Sequence, residues 1–468
     1  MSQVQSTSSQ IQPSTLYKGR KAKLSLNVVV VGCGLGGLAA AHCLGQAGHR
    51  VTIIESAPAI GDVGAGIQVG PNLSRLLIRW GAGERLKQLA VVPEAITFRR
   101  WKDGERVGWT QWGHTMEEEH GAPYYHIHRA DLHNILFDLA APFMTLRLNS
   151  RVVDVDPAAP SLTLESGEVI HADLIIGADG VKSTVRQVVV GGPDKPVSTG
   201  DAAYRATIST KEMLEDPDLR PLVETPEMCG WIGPQKHIMG YCIRGKKEYN
   251  LVMLHPDRGA HESYNAEGST EMMRADFAGW EPKVQKLLAL VPSTLIWPLL
   301  DRAPLDTWIH KDGKVVLLGD ACHPMLPYRA QGSAMAVEDA AVLGNLLSRL
   351  SSRKQLVPLL YAYQALRYPR ATDTQAASRL NQKIFHLEDG PEQAERDASM
   401  RAAMETALRQ AAGEPLEEDD KTMGNANVWA DKSKSKRQFS YDPDEEAEKW
   451  CQLNGELAFD ILGISARM

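Results

Sequence analysis

Residues 28–55 read VVVVGCGLGGLAAAHCLGQAGHRVTIIE, and their types and spacing describe a site for a dinucleotide. Gly32, Gly34 and Gly37 form G-x-G-x-x-G between four valines and an Ala/Leu-rich helix. The glycines let the backbone approach a pyrophosphate. The helix N-terminus then offers unpaired N–H groups and the positive end of its dipole. A second apolar run, 51–54, ends in Glu55, where a carboxylate can accept hydrogen bonds from a ribose diol. A glycine triplet alone also serves tight packing, but the strand, helix and acid stand at the spacing the dinucleotide needs. A membrane helix over 26–44 is excluded by its glycines, Asn27, His42 and the break at Gly32.

Two later carboxylates follow the same strand-then-turn pattern. DLIIGADGVKSTVR (173–186) places Asp179-Gly180 after a strand, with Ser183 and Arg186 opening a helix. VVLLGDACHPMLPYRAQGSAMAVEDAAVL (315–343) places Gly319-Asp320 after a strand, then a proline-rich turn through Pro327 and a helix from about Gly332 and Ser333. Each acid has a plain alternative. Asp179 can be turn chemistry before a glycine, and Asp320 a helix-entry carboxylate. One glycine triplet does not choose between a nicotinamide and a flavin dinucleotide. The order of the three motifs does.

That ordered set resembles the single-component, FAD-dependent aromatic hydroxylases, and within them the salicylate hydroxylases, especially fungal ones. GDACHPMLPYRAQG, HLEDGPEQAERD (386–397) and YDPDEEAEKW (441–450) carry the subgroup likeness, which spans roughly residues 27–450. The resemblance implies an α/β fold: a Rossmann-like FAD-binding domain, an inserted antiparallel β-sheet substrate domain and a C-terminal helical region. It places Gly32, Gly34 and Gly37 on the FAD pyrophosphate, Glu55 on the adenosine ribose and Arg129 against the flavin. Asp179 would help hold FAD and admit NAD(P)H, and Asp320 would bond the ribityl chain. The turn with Pro327 would run beside the isoalloxazine. The helix from Gly332 and Ser333 would aim its N-terminus at the flavin's pyrimidine end, where reduced flavin carries negative charge.

In such a fold the middle sheet covers the flavin, so its inward side chains meet the substrate. Tyr204, Arg205 and the alternating trio His237, Met239 and Tyr241 are the candidates, because alternate strand residues share a face. Related enzymes bind a phenolate with an Arg and a Tyr on these strands, which Arg205 and Tyr241 resemble. The alternatives are a domain-seam salt bridge for Arg205, core packing for Tyr241 and a loop or edge position for His237. Trp231 is either a pocket wall or structural, and His323 is read as architectural.

The elements that must position these residues fall into distinct textures. Residues 1–26, rich in Ser, Gln and Thr with a basic lead-in at 18–23, are expected to be a disordered extension. Residues 27–195 and 301–350 are assigned to the FAD domain, 196–300 to the substrate sheet and 351–468 to helices. The runs 203–208, 237–243 and 249–254 alternate as antiparallel strands do. A length of 468 residues exceeds one core, consistent with several units. Apolar residues at 43% and charged residues at 23% describe a soluble chain, and a net charge of −7 argues against a nucleic-acid surface. The six cysteines are scattered, with no C-x-x-C pair and no metal-binding cluster, as in a reducing compartment. No membrane span or secretory signal is apparent, so a cytoplasmic location is expected. The final Ala-Arg-Met is a loose relative of the peroxisomal Ser-Lys-Leu address.

The implied reaction is hydroxylation of a small phenolic substrate by O₂, with NADH or NADPH reducing the FAD and a C4a-hydroperoxyflavin delivering the oxygen. A salicylate-like substrate would lose CO₂ to give catechol. A secondary-metabolism monooxygenase that epoxidises an indole or dearomatises a phenol, and a flavin dehydrogenase that never activates O₂, remain alternatives. Monomer and homodimer both stay open.

Overall fold

The computed structural model describes residues 11, 13–61, 64–259, 266–414 and 422–465. Residues 1–10 of the expected extension and the terminal Ala466-Arg467-Met468 lie outside the described residues.

The valine run becomes the strand Asn27–Val31, whose four valines are all buried. It lies at the centre of a five-stranded parallel sheet among the described residues. The order is Val315–Leu317, Leu174–Gly177, Asn27–Val31, Arg50–Ile54, Met144–Arg147. A strand buried on both faces reads as a continuous apolar run, which is why 28–31 and 174–177 show no alternation. The chain leaves Asn27–Val31 through Gly32 at φ +104°, where a Cβ would meet the Ala178 carbonyl oxygen at 2.4 Å. It enters the helix Leu35–Gln46, in which a Cβ on Gly37 would lie 2.1 Å from the Gly32 oxygen. These two glycines therefore close the turn upon itself. The same helix packs tightly on Gly332–Leu347, since a Cβ on Gly344 would approach the Cys43 Cβ to 2.6 Å.

The second layer is an eight-stranded sheet among the described residues. Its order is Ala266–Gly268, Thr294–Asp301, Val197–Ser209, Glu248–Pro256, Lys236–Ile243, Met228–Gly233, Ala95–Arg100, Arg106–Gln111. Its pairings are antiparallel except that Met228–Gly233 runs parallel to Ala95–Arg100. The substrate sheet thus differs from the expected 196–300 segment. It borrows two strands from inside 27–195 and its strand Thr294–Asp301 crosses the boundary at 300. Alternation in 95–111 marks strands but carries no information about which sheet they join. What decides it is the shared core, where Ile96, Phe98 and Val107 pack with Met239, Tyr241 and Leu254.

Residues 13–26 also depart from the expected disordered extension. Ser14 N–H bonds the Trp80 carbonyl at 3.0 Å, Leu16 is buried, and Arg20 reaches Ser348 at 2.8 Å and Glu448 at 2.7 Å. The polar composition hid an Arg anchored between two helices. The C-terminal region is helical as expected, with Leu356–Phe385, Pro391–Ala411, Lys432–Phe439 and Pro443–Ser465. Buried ion pairs lock the first of these to Gly332–Leu347. Arg367 meets Asp339 and Glu338 at 2.7 Å each, and Arg370 meets Glu338 at 2.7 Å. Burial opposes charge on both acids, but the facing cations outweigh it and hold both carboxyls below their usual range. This network fixes the helix whose N-terminus faces the site.

Candidate active site

The carboxyl ends of the parallel strands and the inner face of the wide sheet enclose a cavity of about 370 Å³. Open α/β sheets bind their ligands at this edge. From the parallel-sheet side it is lined by Gly34, Gly180, Asp320 and the turn 325–333; from the wide sheet by Arg205, His237, Met239 and Tyr241.

On the nucleotide side, the three glycines divide their work. Gly32 and Gly37 are crowded by backbone, whereas a Cβ on Gly34 would meet nothing within 4 Å. Gly34 caps the N-terminus of Leu35–Gln46 without a side chain and lines the cavity, so that empty volume is a cradle a larger residue would fill. Glu55 ends its strand beside this turn, where it accepts the Cys33 N–H at 2.8 Å and the Ala57 N–H at 2.8 Å. A carboxylate held there retains lone pairs for a diol. The donor set and the cradle fit a dinucleotide with a bound pyrophosphate.

Asp179 makes its hydrogen bonds within its own turn. Its carboxylate accepts Ser183 Oγ–H at 2.5 Å, Thr184 N–H at 2.7 Å and Val185 N–H at 3.2 Å, which caps the helix Thr184–Val190. Burial raises its carboxyl and those bonds oppose the rise. Its neighbour Gly180, not Asp179 itself, lines the cavity. Asp179→Ala is therefore expected to destabilise FAD-free protein by about 1–2 kcal/mol, as lost caps do. A lower urea midpoint of the apoprotein checks this; an unchanged midpoint with weakened FAD binding would return Asp179 to the cofactor.

Arg129, Asp320, Pro327, Gly332 and Ser333 all line the cavity. Asp320 lines the cavity, and desolvation raises its carboxyl while His323 and Arg129 oppose the rise. The helix Gly332–Leu347 begins at the cavity wall with no acid in its own first turn, and its positive end faces the cavity beside Asp320, whose Oδ1 would lie 3.9 Å from a Cβ on Gly332. His323 is buried, does not line the cavity and bonds Asp339 at 2.5 Å.

On the substrate side, strand alternation separates the candidates. Arg205, His237, Met239 and Tyr241 face the cavity. Tyr204 faces away and donates to Asp276 at 3.0 Å, and Trp231 is fully buried with its indole N–H on Glu281. Both are structural. The Arg205 guanidinium lies 3.6 Å from the centre of the Trp297 ring, a stack that fixes its plane. Tyr241 packs at a tilt of 37° against His126, with ring centres 4.3 Å apart; burial raises its phenol, with Arg205 and Gln68 opposing. His237 is buried, which holds its imidazole well below the usual value, and His386 adds to this. At neutral pH it stands as a neutral base. The arrangement places a cation, a phenol and an uncharged imidazole on one wall of the cavity.

Other wall residues escaped the sequence reading. Met228, Phe385 and Trp429 close the cavity from three separate segments, and Tyr328 joins them from the proline turn. Apolar residues in long helices or loops carry no local sign of facing a ligand. Gln68, which accepts from Tyr124 at 2.7 Å, lines the cavity as well.

Comparison with known proteins agrees with this geometry. A family described as "FAD binding domain" matches residues 25–378. The chain is 37% identical over 385 residues to the FAD-dependent monooxygenase OpS4 of Beauveria bassiana (strain ARSEF 2860), covering 80% of this chain and 89% of that one. It is 35% identical over 365 residues to the 3-hydroxybenzoate 6-hydroxylase of Klebsiella oxytoca, covering 77% and 89%. A solved salicylate hydroxylase substrate complex superposes with a TM-score of 0.71 at 26% identity, covering 91% of this chain and 98% of that one. Among the described residues no helix is long and apolar enough to cross a membrane.

Proposed function

The chain belongs to the FAD-dependent aromatic hydroxylases built on this FAD-binding domain, and from that premise we propose that it hydroxylates a small phenol carrying an anionic group, with salicylate as the representative substrate. The observation that carries the reading is the meeting of two sets of residues on one cavity. Gly34, Arg129, Asp320, Pro327, Gly332 and Ser333 come from the nucleotide fold, and Arg205, His237 and Tyr241 from the wide sheet.

FAD, reduced by NADH or NADPH, supplies activated oxygen for the ring. The protein does the rest. Arg205, its plane set by Trp297, holds the substrate anion. His237 takes the hydroxyl proton, which makes the ring electron-rich and ready for an electrophilic oxygen. Tyr241 orients the ring from the same strand, two pleats along. Met325, Leu326 and Pro327 keep water from the reacting face, and the Gly332 helix end favours the negative charge of a reduced cofactor. In a salicylate-like substrate, attack at the carboxyl-bearing carbon releases CO₂.

A panel of hydroxybenzoates, neutral phenols and indoles tests this, scoring NAD(P)H consumption, hydroxylated product and H₂O₂ release. Coupled turnover is expected with a carboxylated phenol, and salicylate should give catechol. Coupled turnover only with indoles or bulky phenols would support the secondary-metabolism alternative. Reductant consumption with no oxygenated product from any compound would contradict the proposal.

A further inference from the structure

Behind His237 lies a chain of polar side chains that the reaction as described does not use. His237 Nδ1 and His386 Nε2 are 2.8 Å apart. His386 Nδ1 lies 3.6 Å from Asp201 Oδ2, which already accepts from Tyr328 Oη at 2.5 Å and from Gln382 Nε2 at 2.7 Å. Asp201 lies on the Arg205 strand, Val197–Ser209, and His386 caps the long helix Leu356–Phe385. Three distant segments thus converge on one cavity histidine.

The chemistry of the chain orders its protons. The contact with Asp201 is longer than a direct hydrogen bond, but the negative charge 3.6 Å from His386 Nδ1 favours the tautomer with its proton on that nitrogen. That leaves His386 Nε2 as a bare lone pair, which must receive a proton from its 2.8 Å neighbour. His237 then carries its hydrogen on Nδ1, and its Nε2 lone pair is the free one on a residue that lines the cavity. We propose that His386, backed by Asp201, is a positioning residue that holds His237 in the tautomer able to take the hydroxyl proton of a phenolic substrate. The substrate O–H bond breaks with its electron pair left on oxygen, and the proton goes to His237 Nε2. The Nδ1 proton is meanwhile shared with His386 Nε2. Burial lowers both imidazoles, His386 to about 4, so that both start neutral. The charged or titratable groups around the pair are Asp201 and Tyr328 behind it and Arg205 on the same sheet face.

The inference rests on the proposed function, and the test separates the two. A merely structural His386 would be a packing ring, because it lies 5.1 Å from His237 and 5.5 Å from Tyr328 among aromatic side chains. His386→Phe keeps the ring and removes the acceptor; His386→Gln removes the ring and keeps an acceptor oxygen. The probe is 4-nitrophenol, whose phenolate absorbs in the visible, titrated into FAD-loaded protein across pH. In wild type the bound probe should ionise at lower pH than the free phenol. His386→Phe should abolish that shift and cut kcat with the best phenol of the panel about 10²-fold, with KM and FAD content little changed. His386→Gln should keep most of both. Should the Phe variant lose its flavin, His386→Met takes its place. The reverse pattern, with Phe near wild type and Gln impaired, overturns the inference, as does equal behaviour of the two. A wild type that fails to bind the probe, or binds it without ionising it, also overturns the inference alone. A wild type that binds and turns over no phenol at all removes the proposed function with it.

Discussion

Gly34→Val is expected to give a folded, colourless protein. The backbone at Gly34, φ −75° and ψ −176°, is extended and suits a β-branched residue. A Cβ there meets nothing within 4 Å, so the chain itself does not resist the substitution. The volume the isopropyl group takes is the cradle at the end of the Leu35–Gln46 helix, where a pyrophosphate would lie against the backbone N–H groups. Displacing a dianionic group from those donors should weaken FAD binding by about 10³-fold or more, about 4 kcal/mol. Flavin fluorescence titration measures the affinity, and circular dichroism verifies the fold. Gly37→Val makes the contrast: its Cβ would sit 2.1 Å from the Gly32 oxygen, so this variant should fail to fold. A yellow Gly34→Val protein would show that the dinucleotide does not cross this turn.

Arg205→Ala should have the opposite signature, with full flavin content and lost turnover. Arg205 belongs to the wide sheet, away from the glycine turn. Its loss removes the only guanidinium that the wide sheet contributes to the cavity wall among the described residues. A buried charge-assisted contact is worth about 2–4 kcal/mol, which predicts a fall of about 30- to 10³-fold in kcat/KM for carboxylated phenols. Neutral phenols should lose much less. Arg205→Lys should recover only part, because an ammonium cannot lie flat on Trp297 as the guanidinium does at 3.6 Å. Steady-state kinetics with matched pairs of acidic and neutral phenols decides it. Equal losses for both would assign Arg205 to packing.

The sequence made some of this legible because the constraint was local. Four consecutive valines, a glycine triplet and an acid have to stand at fixed spacing to build the turn at residues 32–37, so reading them in order was enough. The trio His237, Met239 and Tyr241 was legible for the same reason, since a strand repeats every second residue. Tyr204 was the instructive miss. It adjoins Arg205, and adjacency on a strand means opposite faces, so only one of the two could reach the cavity. Asp179 shows a different limit: its cap at Thr184 and its implied cofactor contact use the same motif, and only the hydrogen bonds distinguish them. The two borrowed strands at 95–111, the anchored segment at 13–26, and Phe385 and Trp429 depended on contacts across hundreds of residues. No periodicity records such contacts. His386 lies in the run that suggested the subgroup, yet its pairing with His237 appears only once the helix and the sheet meet.

The most direct test is turnover under ¹⁸O₂ with the purified, FAD-loaded protein and the best phenol of the panel, read by mass spectrometry. One heavy oxygen atom is expected in the new ring hydroxyl for each NAD(P)H consumed, and that label should disappear in Gly34→Val and fall steeply in Arg205→Ala. Product oxygen drawn from water, or reductant consumed with label found only in H₂O₂, would contradict oxygen delivery to an arene held in this cavity.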